Sequence, residues 1–293
     1  MIIIYGSNGF VGKYIKKYLS RAGYFYLCSK TRTYNYDEIK REIELYKPTS
    51  IISCAGYPTP TNIDYYENSI ENKSRLCLTN TAGNIILSEV CRELNIHLVI
   101  IMSGCIYNSY EENINSGKIK IQQFTDSDKP NFSGSYYSKN RVATEELLSI
   151  HNNLCVVRIR MPITDDMNPK SLITKLVNYR KITNIPNSVT VMDDCMPKIV
   201  DVVSRKITGM INLVNEGYIT NAYILYLYKS FVNKTYNYSI VSLDEIENKN
   251  GKQVAPRSNC IIIPSEILGE MPNVKKSVLD IIKKFKMIKD IYA

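Results

Sequence analysis

The sequence has little capacity for histidine chemistry and none of the usual metal-site spacing. It contains two histidines and no tryptophan in 293 residues. His97 lies six strand residues, or about 20 Å, before Ser103, which disfavours a serine–histidine hydrolase, and His151 follows a predicted helix. The eight cysteines include no CxxC pair, so no zinc site is expected. We therefore expect both histidines to be structural and the protein to bind no metal.

Long apolar runs and charge of one sign are also lacking. No run approaches the roughly 20 apolar residues that span a bilayer, and no basic leader precedes the apolar segment 2–5. The net charge is +9, but the lysines and arginines are scattered among acidic residues instead of forming a stripe beside aromatic residues. These features predict a cytoplasmic protein that binds an anionic small molecule and neither a membrane nor nucleic acid.

Short apolar runs alternate with longer amphipathic stretches in the first part of the chain. The runs lie at 2–5, 24–28, 50–54, 98–102 and 155–159. Nearly continuous apolar strands are typical of a parallel sheet that helices cover on both faces. We predict an α/β fold with a Rossmann-type doubly wound parallel sheet and a smaller C-terminal substrate lobe.

The same alternation suggests how the chain is divided. The regular rhythm breaks after residue 160, where proline-containing loops begin. We predict that residues 1–160 form the Rossmann-type core and that 161–293 form mainly the substrate-binding lobe. Segment 189–218 looks like further sheet structure, so we expect it to return to the core.

A glycine-rich turn follows the first predicted strand and opens a predicted helix. It comprises Gly6, Ser7, Asn8, Gly9, Phe10, Val11 and Gly12. Glycines in this setting allow a tight turn and let backbone N–H groups approach a pyrophosphate at the N-terminus of the helix. These residues therefore predict a dinucleotide-binding site.

The end of the second predicted strand lacks the Asp or Glu that holds the ribose 2′-hydroxyl in NAD sites. Lys30 and Arg32 stand there instead, and we predict that they bind the 2′-phosphate of NADPH. The alternative is that both are solvated surface charges. Three small residues at the end of the third predicted strand are expected to line the path of the cofactor: Cys54, Ala55 and Gly56.

A candidate catalytic group combines the end of the fourth predicted strand with the start of a later helix. Strand alternation puts Ser103 and Cys105 on one side, and Tyr137 and Arg141 lie one helical turn apart. Hydride delivery to a ketone builds negative charge on its oxygen. A tyrosine made more acidic by a nearby cation can then donate a proton, while a serine orients the same oxygen. The residues thus predict carbonyl reduction.

Several segments resemble the extended short-chain dehydrogenase/reductases, and among them the UDP-4-keto-6-deoxyglucose 3,5-epimerase/4-reductases. They are GCI at 104–106, NFSGSYYSK at 131–139, RIRMPI at 158–163, IPNS at 185–188 and VAPRSN at 254–259. The sequence departs from the family pattern Tyr-x-x-x-Lys at one position. Arg141 stands four residues after Tyr137, and Lys139 stands two residues after it. We assign the role of the family lysine to Arg141, with Lys139 as the alternative.

The resemblance implies a reaction and further site residues. The protein would convert UDP-4-keto-6-deoxy-D-glucose to UDP-L-rhamnose by inverting C3 and C5 and then reducing C4 with NADPH. Inversion needs an acid and a base on opposite faces of the sugar ring, and the family implies Cys105 for one face and Lys175 for the other. Asn187 and Arg257 match positions that hold the nucleotide sugar, Arg257 through the diphosphate.

Two other functions stay open on the sequence. One is a 4-keto-sugar reductase without epimerase activity, and the other is a catalytically silent NADP-binding regulatory subunit. The retained Ser103, Cys105 and Tyr137 favour an active enzyme. The family further suggests a homodimer and a separate 4,6-dehydratase that supplies the keto sugar. The choice between uridine and thymidine nucleotides depends on loop geometry that the sequence does not give.

Overall fold

The computed structural model describes residues 1–60, 62–113, 118–247 and 254–292. The strands are β1 (Ile2–Tyr5), β2 (Tyr26–Cys28), β3 (Ser50–Ser53), β4 (His97–Ser103), β5 (Tyr110–Asn113), β6 (Lys118–Ile121), β7 (Gln123–Phe124), β8 (Leu154–Ile159), β9 (Lys181–Ile182), β10 (Pro186–Asn187), β11 (Gly209–Asn212), β12 (Ile219–Thr220), β13 (Ser239–Ile240) and β14 (Ile261–Ile262). The α-helices are α1 (Phe10–Arg21), α2 (Tyr36–Tyr46), α3 (Ile70–Leu76), α4 (Gly83–Glu93), α5 (Tyr136–Leu148), α6 (Leu172–Leu176), α7 (Met192–Ser204), α8 (Asn221–Phe231), α9 (Leu243–Glu247) and α10 (Val274–Tyr292). Short 3₁₀ helices span Ile63–Tyr66 and Glu266–Leu268, and a π-helical turn spans Cys77–Ala82.

The main sheet has six strands in the order β11-β8-β4-β3-β1-β2. Strands β1, β3, β4 and β8 are buried along their whole length, as their nearly continuous apolar sequences predict. The pairs of β1 with β2, β1 with β3 and β3 with β4 are parallel. The predicted α/β class with a parallel Rossmann-type sheet is confirmed.

The strand order reverses direction at β1. The chain passes from β1 to the edge strand β2 and then returns to β3 on the other side of β1. In open α/β sheets, ligands bind at such a reversal, outside the carboxyl ends of the strands. The loops after β1, β2, β3 and β4 all leave the sheet at that edge, so this topology determines where a binding site can form.

The chain folds into two compact units that are each built from separated segments. The first unit contains residues 1–106, 129–158 and 196–211, and the second contains 107–128, 159–195 and 212–293. Segment 107–128 thus belongs to the second unit although it falls inside the range 1–160 predicted for the core. Segment 196–211, inside the predicted return at 189–218, belongs to the first unit.

Each unit has its own apolar core. In the first, strand residues such as Ile3, Ile51 and Leu98 pack against α2 and α4. In the second, α6, α8 and α10 pack together through apolar side chains that include Leu225 and Ile282. Among the residues that the structure describes, no helix is both long enough and apolar enough to cross a membrane.

A buried ion pair joins α5 to β8 inside the first unit. Arg158 Nη2 lies 2.8 Å from Glu145 Oε2, and the two side chains are only 3% and 4% exposed. The Arg158 Nε–H also donates to both carboxylate oxygens at 3.1 Å. Removing one partner of such a pair leaves the other charge in a poorly solvated site, which costs more than the intact pair contributes.

We expect Glu145→Gln to lower the free energy of unfolding by about 3–5 kcal/mol, because the buried Arg158 guanidinium loses the charge that compensates it. Urea denaturation of the purified protein measures this change. Glu146→Gln is the matched control, since Glu146 is the next residue of α5 and is exposed. Equal stabilities of the two variants would show that the ion pair does not stabilise the fold.

Candidate functional site

Only glycine fits at two of the three glycines in the turn after β1. Gly6 has φ +70°, and a Cβ there would lie 2.6 Å from the backbone of Cys54. A Cβ on Gly12 would lie 2.5 Å from the carbonyl oxygen of Gly6. The turn therefore packs directly on the chain after β3 and on the first turn of α1.

Gly9 is different because the protein itself barely requires a glycine there. Its φ is −69°, and the nearest atom to an added Cβ is the Gly6 carbonyl oxygen at 3.2 Å. Gly9 is exposed and immediately precedes α1, whose first N–H groups point toward its N-terminus. An exposed glycine in front of a helix N-terminus is suited to the close approach of an anionic ligand such as a pyrophosphate. Of the other predicted residues in the turn, Asn8 is exposed, while Ser7 is buried.

Lys30 and Arg32 are both exposed just after β2, at the carboxyl edge of the sheet. The structure also brings an acid to this place, which the sequence spacing did not reveal. Glu42 of α2 accepts hydrogen bonds from the hydroxyls of Tyr5 at 2.6 Å and Ser29 at 2.8 Å. The end of β2 therefore carries two accessible cations and one carboxylate that two hydroxyls already bind.

The segment after β3 lies beside the predicted catalytic helix. A Cβ on Gly56 would lie 4.0 Å from Arg141 Nη2 and 3.6 Å from Asn80 Oδ1. The backbone N–H of Tyr57 donates to the same Asn80 oxygen at 2.7 Å. The predicted cofactor segment, Cys54 to Gly56, and the predicted catalytic cation thus come together in the first unit.

Cys105 does not continue the strand that carries Ser103. Strand β4 ends at Ser103, and Cys105 lies in the turn that follows, so the alternation from which their common orientation was predicted does not extend to Cys105. A hydrogen bond joins them instead, because the Cys105 N–H donates to Ser103 Oγ at 3.2 Å. Ser103 accepts this bond and keeps its hydroxyl hydrogen to donate to a ligand.

Helix α5 is attached to this turn at its first residues. Ser135 caps the helix by accepting the Ser138 N–H at 3.0 Å. The Ser138 hydroxyl donates to the carbonyl oxygen of Cys105 at 2.7 Å. The turn with Ser103 and Cys105 and the helix start with Tyr137 therefore form one hydrogen-bonded assembly.

The geometry favours Arg141 over Lys139 as the cation beside Tyr137. Arg141 is 7% exposed, and its guanidinium carbon lies 5.1 Å from the centre of the Tyr137 ring. Lys139 is exposed on another face of α5. The Arg141 Nη1–H donates to Met102 Sδ at 3.0 Å, whereas no hydrogen-bond partner of Nε is found among the described residues. A buried, incompletely paired guanidinium next to the cofactor segment is suited to contact with a bound ligand.

Lys175 lies in α6 of the second unit and is half-buried. Burial lowers the pKa of its amine below the ordinary lysine value, and the nearby charge of Lys170 lowers it further. A lysine with a lowered pKa exchanges protons more readily near neutral pH than a solvated one.

Arg160, a residue that the sequence did not indicate, binds Asn187 and the chain next to Arg257 in the second unit. Arg160 Nη2 donates to Asn187 Oδ1 and to the Ser258 carbonyl oxygen, both at 2.6 Å. The Asn187 oxygen also accepts the Cys260 N–H at 2.9 Å. Asn187 is buried in this network, whereas Arg257 is half-exposed. Asn187 is therefore placed to fix the loop that carries Arg257. Direct contact of Asn187 with a ligand stays a prediction.

Within the described ranges, no group of three or more His, Cys, Asp or Glu residues could hold a metal ion. The chemistry of the assembly is that of a hydroxyl, a thiol, a phenol and a fixed cation. That set can orient a carbonyl oxygen and supply it with a proton.

Comparison with known proteins identifies the family. A family model described as the RmlD substrate binding domain matches residues 1–226. The chain belongs to this family. The resemblance drawn from the sequence motifs is thereby confirmed, including the link to the 4-keto-rhamnose branch of the extended short-chain dehydrogenase/reductases.

Three relatives illustrate the similarity. A bifunctional dTDP-4-dehydrorhamnose 3,5-epimerase/dTDP-4-dehydrorhamnose reductase of Arabidopsis thaliana is 32% identical over 283 residues, covering 94% of this chain and 90% of that protein. A trifunctional UDP-glucose 4,6-dehydratase/UDP-4-keto-6-deoxy-D-glucose 3,5-epimerase/UDP-4-keto-L-rhamnose-reductase of the same plant is 33% identical over 281 residues, and this chain spans 41% of its length. The crystal structure of the L780 UDP-rhamnose synthase from Acanthamoeba polyphaga mimivirus is similar with a TM-score of 0.86 and 30% identity, covering 97% of this chain and 98% of that one.

Proposed function

We propose that the protein is an NADPH-dependent 3,5-epimerase/4-reductase that converts UDP-4-keto-6-deoxy-D-glucose to UDP-L-rhamnose. The observation that carries this proposal is the hydrogen bond from Ser138 to the Cys105 carbonyl, because it joins the Ser103–Cys105 turn to the helix of Tyr137 and Arg141. The similarity to a bifunctional epimerase/reductase over 94% of the chain supports the same activity.

The cofactor half of the mechanism depends on the first unit. The turn from Gly6 to Gly12, with exposed Gly9 directly before α1, fits a pyrophosphate held by backbone N–H groups at the start of that helix. Lys30 and Arg32 would bind the 2′-phosphate, and Arg141 would face the cofactor segment next to Gly56. When bound, NADPH supplies the hydride for C4.

Reduction requires a proton for the C4 oxygen at the moment when the hydride arrives. Tyr137 donates this proton, and the permanent charge of Arg141 beside the ring stabilises the resulting phenolate. Ser103 donates its hydroxyl hydrogen to the same oxygen and so orients the ketone. Lys139 is exposed and takes no part.

Epimerisation uses the acidity that the C4 ketone gives to the protons on C3 and C5. Cys105 acts on one face of the sugar ring and Lys175 on the other. The lowered pKa of Lys175 fits a group that gains and loses a proton during turnover. Arg257 binds the diphosphate of the sugar nucleotide from a loop that Arg160 fixes.

The test is to incubate the purified protein with NADPH and UDP-4-keto-6-deoxyglucose and to identify the product by NMR. Formation of UDP-L-rhamnose supports the proposal. A 6-deoxyhexose without inversion at C3 and C5 identifies a simple reductase. The absence of any product identifies a catalytically silent binding subunit. Parallel reactions with the dTDP-sugar determine the nucleotide preference. For this assay the keto sugar is prepared enzymatically with a 4,6-dehydratase.

NADPH is expected to bind at least tenfold more tightly than NADH, equivalent to about 1.4 kcal/mol. Two exposed cations at the end of β2 outweigh Glu42, whose charge is shared by the hydroxyls of Tyr5 and Ser29. Titration calorimetry with both cofactors measures the ratio. The double variant Lys30→Ala/Arg32→Ala should lose affinity for NADPH alone, and equal affinities in the unmodified protein would contradict the prediction.

A further inference from the structure

Tyr66, a residue that no sequence motif indicated, contacts the ring of Tyr137. The two ring centroids are 5.8 Å apart and the ring planes differ by 11°, which is an offset stacked arrangement. Tyr66 is 3% exposed, at the end of the 3₁₀ helix Ile63–Tyr66. Because Tyr66 is buried and Tyr137 is half-buried, the stack restricts the orientation of the Tyr137 ring from the protein side.

The hydroxyl of Tyr66 is anchored to the chain that follows the cofactor segment. It donates to the carbonyl oxygen of Tyr57 at 2.6 Å, and the Tyr57 N–H in turn donates to Asn80 Oδ1 at 2.7 Å. Burial raises the pKa of Tyr66, and the neighbouring Tyr137 raises it further, so the phenol stays protonated and keeps this hydrogen bond. Tyr57 directly follows Gly56, so the anchor links the Tyr137 ring to the predicted cofactor path.

The residue after Tyr66 holds the helix that carries Tyr137. Glu67 Oε1 accepts the backbone N–H of Tyr136 at 2.6 Å, in the first turn of α5. A carboxylate at this place binds an N–H that has no partner within the helix and interacts favourably with the helix dipole. Two consecutive residues therefore fix the start of α5 and the ring of Tyr137 together.

Proton donation to a developing alkoxide depends on where the phenol oxygen lies. A misplacement of about 1 Å in a reacting group can lower a rate by about 100-fold. The Arg141 guanidinium also neighbours the ring, at 5.1 Å from its centre, but it binds Met102 as well and cannot alone define the ring plane. The stack with Tyr66 adds that constraint.

We propose that Tyr66 is a positioning residue that holds the phenol of Tyr137 in its proton-donating orientation by stacking on the ring while anchored to Tyr57. The inference rests on the proposed function, in which Tyr137 protonates the C4 oxygen. Tyr66 itself touches neither the substrate nor the cofactor in this mechanism.

The first experiment compares steady-state kinetics of three variants. Tyr66→Leu should lower kcat for reduction by about tenfold, with substrate KM and NADPH Kd unchanged within about twofold, because only the orientation of the acid is lost. Tyr66→Phe keeps the ring and should retain kcat within about threefold. Tyr65→Leu makes the same change one residue earlier, in a ring that contacts Tyr57 and Tyr66, and should leave kcat unchanged. Full activity of Tyr66→Leu, or equal losses in Tyr66→Leu and Tyr65→Leu, would overturn the inference.

A double-variant test separates positioning from a general structural role. In Tyr137→Phe the residual rate no longer uses the phenol, so adding Tyr66→Leu should lower it by less than about twofold. A tenfold loss in both backgrounds would mean that Tyr66 supports the fold and does not act through Tyr137.

A third measurement does not depend on activity. With 3-fluorotyrosine at position 137, a ring that flips slowly gives separate ¹⁹F signals for its two flip states. We expect two signals in the otherwise unmodified protein and in Tyr66→Phe. Tyr66→Leu should merge them into one averaged signal. An unchanged spectrum in Tyr66→Leu overturns the inference. A changed spectrum in a protein that never reduces the keto sugar refutes the proposed function and leaves the restraint on the ring established.

Discussion

Tyr137→Phe is expected to lower the rate of 4-keto reduction by about 100-fold or more while NADPH affinity changes by less than about threefold. The substitution removes the hydroxyl that donates the proton in the proposed mechanism, and it keeps the ring, so the stack with Tyr66 and the contact with Arg141 remain. Single-turnover reduction of the 4-keto sugar, followed by the loss of NADPH absorbance, measures the rate. A variant that keeps most of its rate would show that another group supplies the proton.

Two variants on the same helix test which cation assists Tyr137, and Lys139→Ala is the matched control. Arg141→Ala should weaken both NADPH binding and reduction, because the buried guanidinium lies beside both the Tyr137 ring and the Gly56 segment. Lys139→Ala should leave both unchanged, since Lys139 is exposed. If Lys139→Ala has the larger effect, the family lysine role belongs to Lys139 and the guanidinium is structural.

The local geometry that the sequence predicted well depends on short spacing. The turn from Gly6 to Gly12 combines a strand, glycines and a helix start within a few residues, and local geometry determines its shape. The choice of Arg141 over Lys139 likewise follows from helical periodicity, which puts Tyr137 and Arg141 on one face. The buried strands of the parallel sheet were recognisable from continuous apolar runs for the same reason.

The parts that the sequence did not predict depend on contacts between distant residues. Glu42 reaches the end of β2 from a helix, so no fixed offset from the glycines could reveal it. The sequence assigned Arg160 no role, yet this side chain is fully buried and binds the backbone of Ser258. Tyr66 is one of many tyrosines, and only the packing of its segment against α5 distinguishes it.

Cys105 shows a different limit of sequence-based prediction. It lies next to Ser103 as expected, but strand alternation does not explain its position. The alternation argument assumed that the strand continues to Cys105, but β4 ends at Ser103. A turn then presents Cys105, and the bonds to Ser103 and from Ser138 fix that turn. Whether a strand stops at one residue or continues for two more depends on its tertiary partners, which the sequence pattern does not define.

The epimerase assignment makes the second large prediction. Cys105→Ala and Lys175→Ala should each abolish formation of L-rhamnose and the uptake of deuterium from D₂O at C3, C5 or both. In the proposed mechanism, each variant removes one of the two groups that exchange protons with the ring. NMR of the recovered sugar nucleotide measures the exchange at each carbon. Reduction of a sugar that is already epimerised should survive in both variants, because Ser103, Tyr137 and Arg141 remain, and this reaction is the internal control for folding and for NADPH binding.

Lys175→Arg separates the two ways in which Lys175 can act. An arginine keeps the positive charge of the side chain, but it does not titrate in the accessible pH range, so it cannot exchange a proton with the sugar. Because burial lowers the pKa of Lys175, the unmodified amine releases a proton more readily than a solvated lysine. We therefore expect Lys175→Arg to lose deuterium exchange at the same carbon as Lys175→Ala. Retained deuterium exchange in Lys175→Arg would show that Lys175 contributes only its positive charge. Full exchange at C3 and C5 in the double variant Cys105→Ala/Lys175→Ala would exclude both residues from epimerisation. The protein would then be a reductase only.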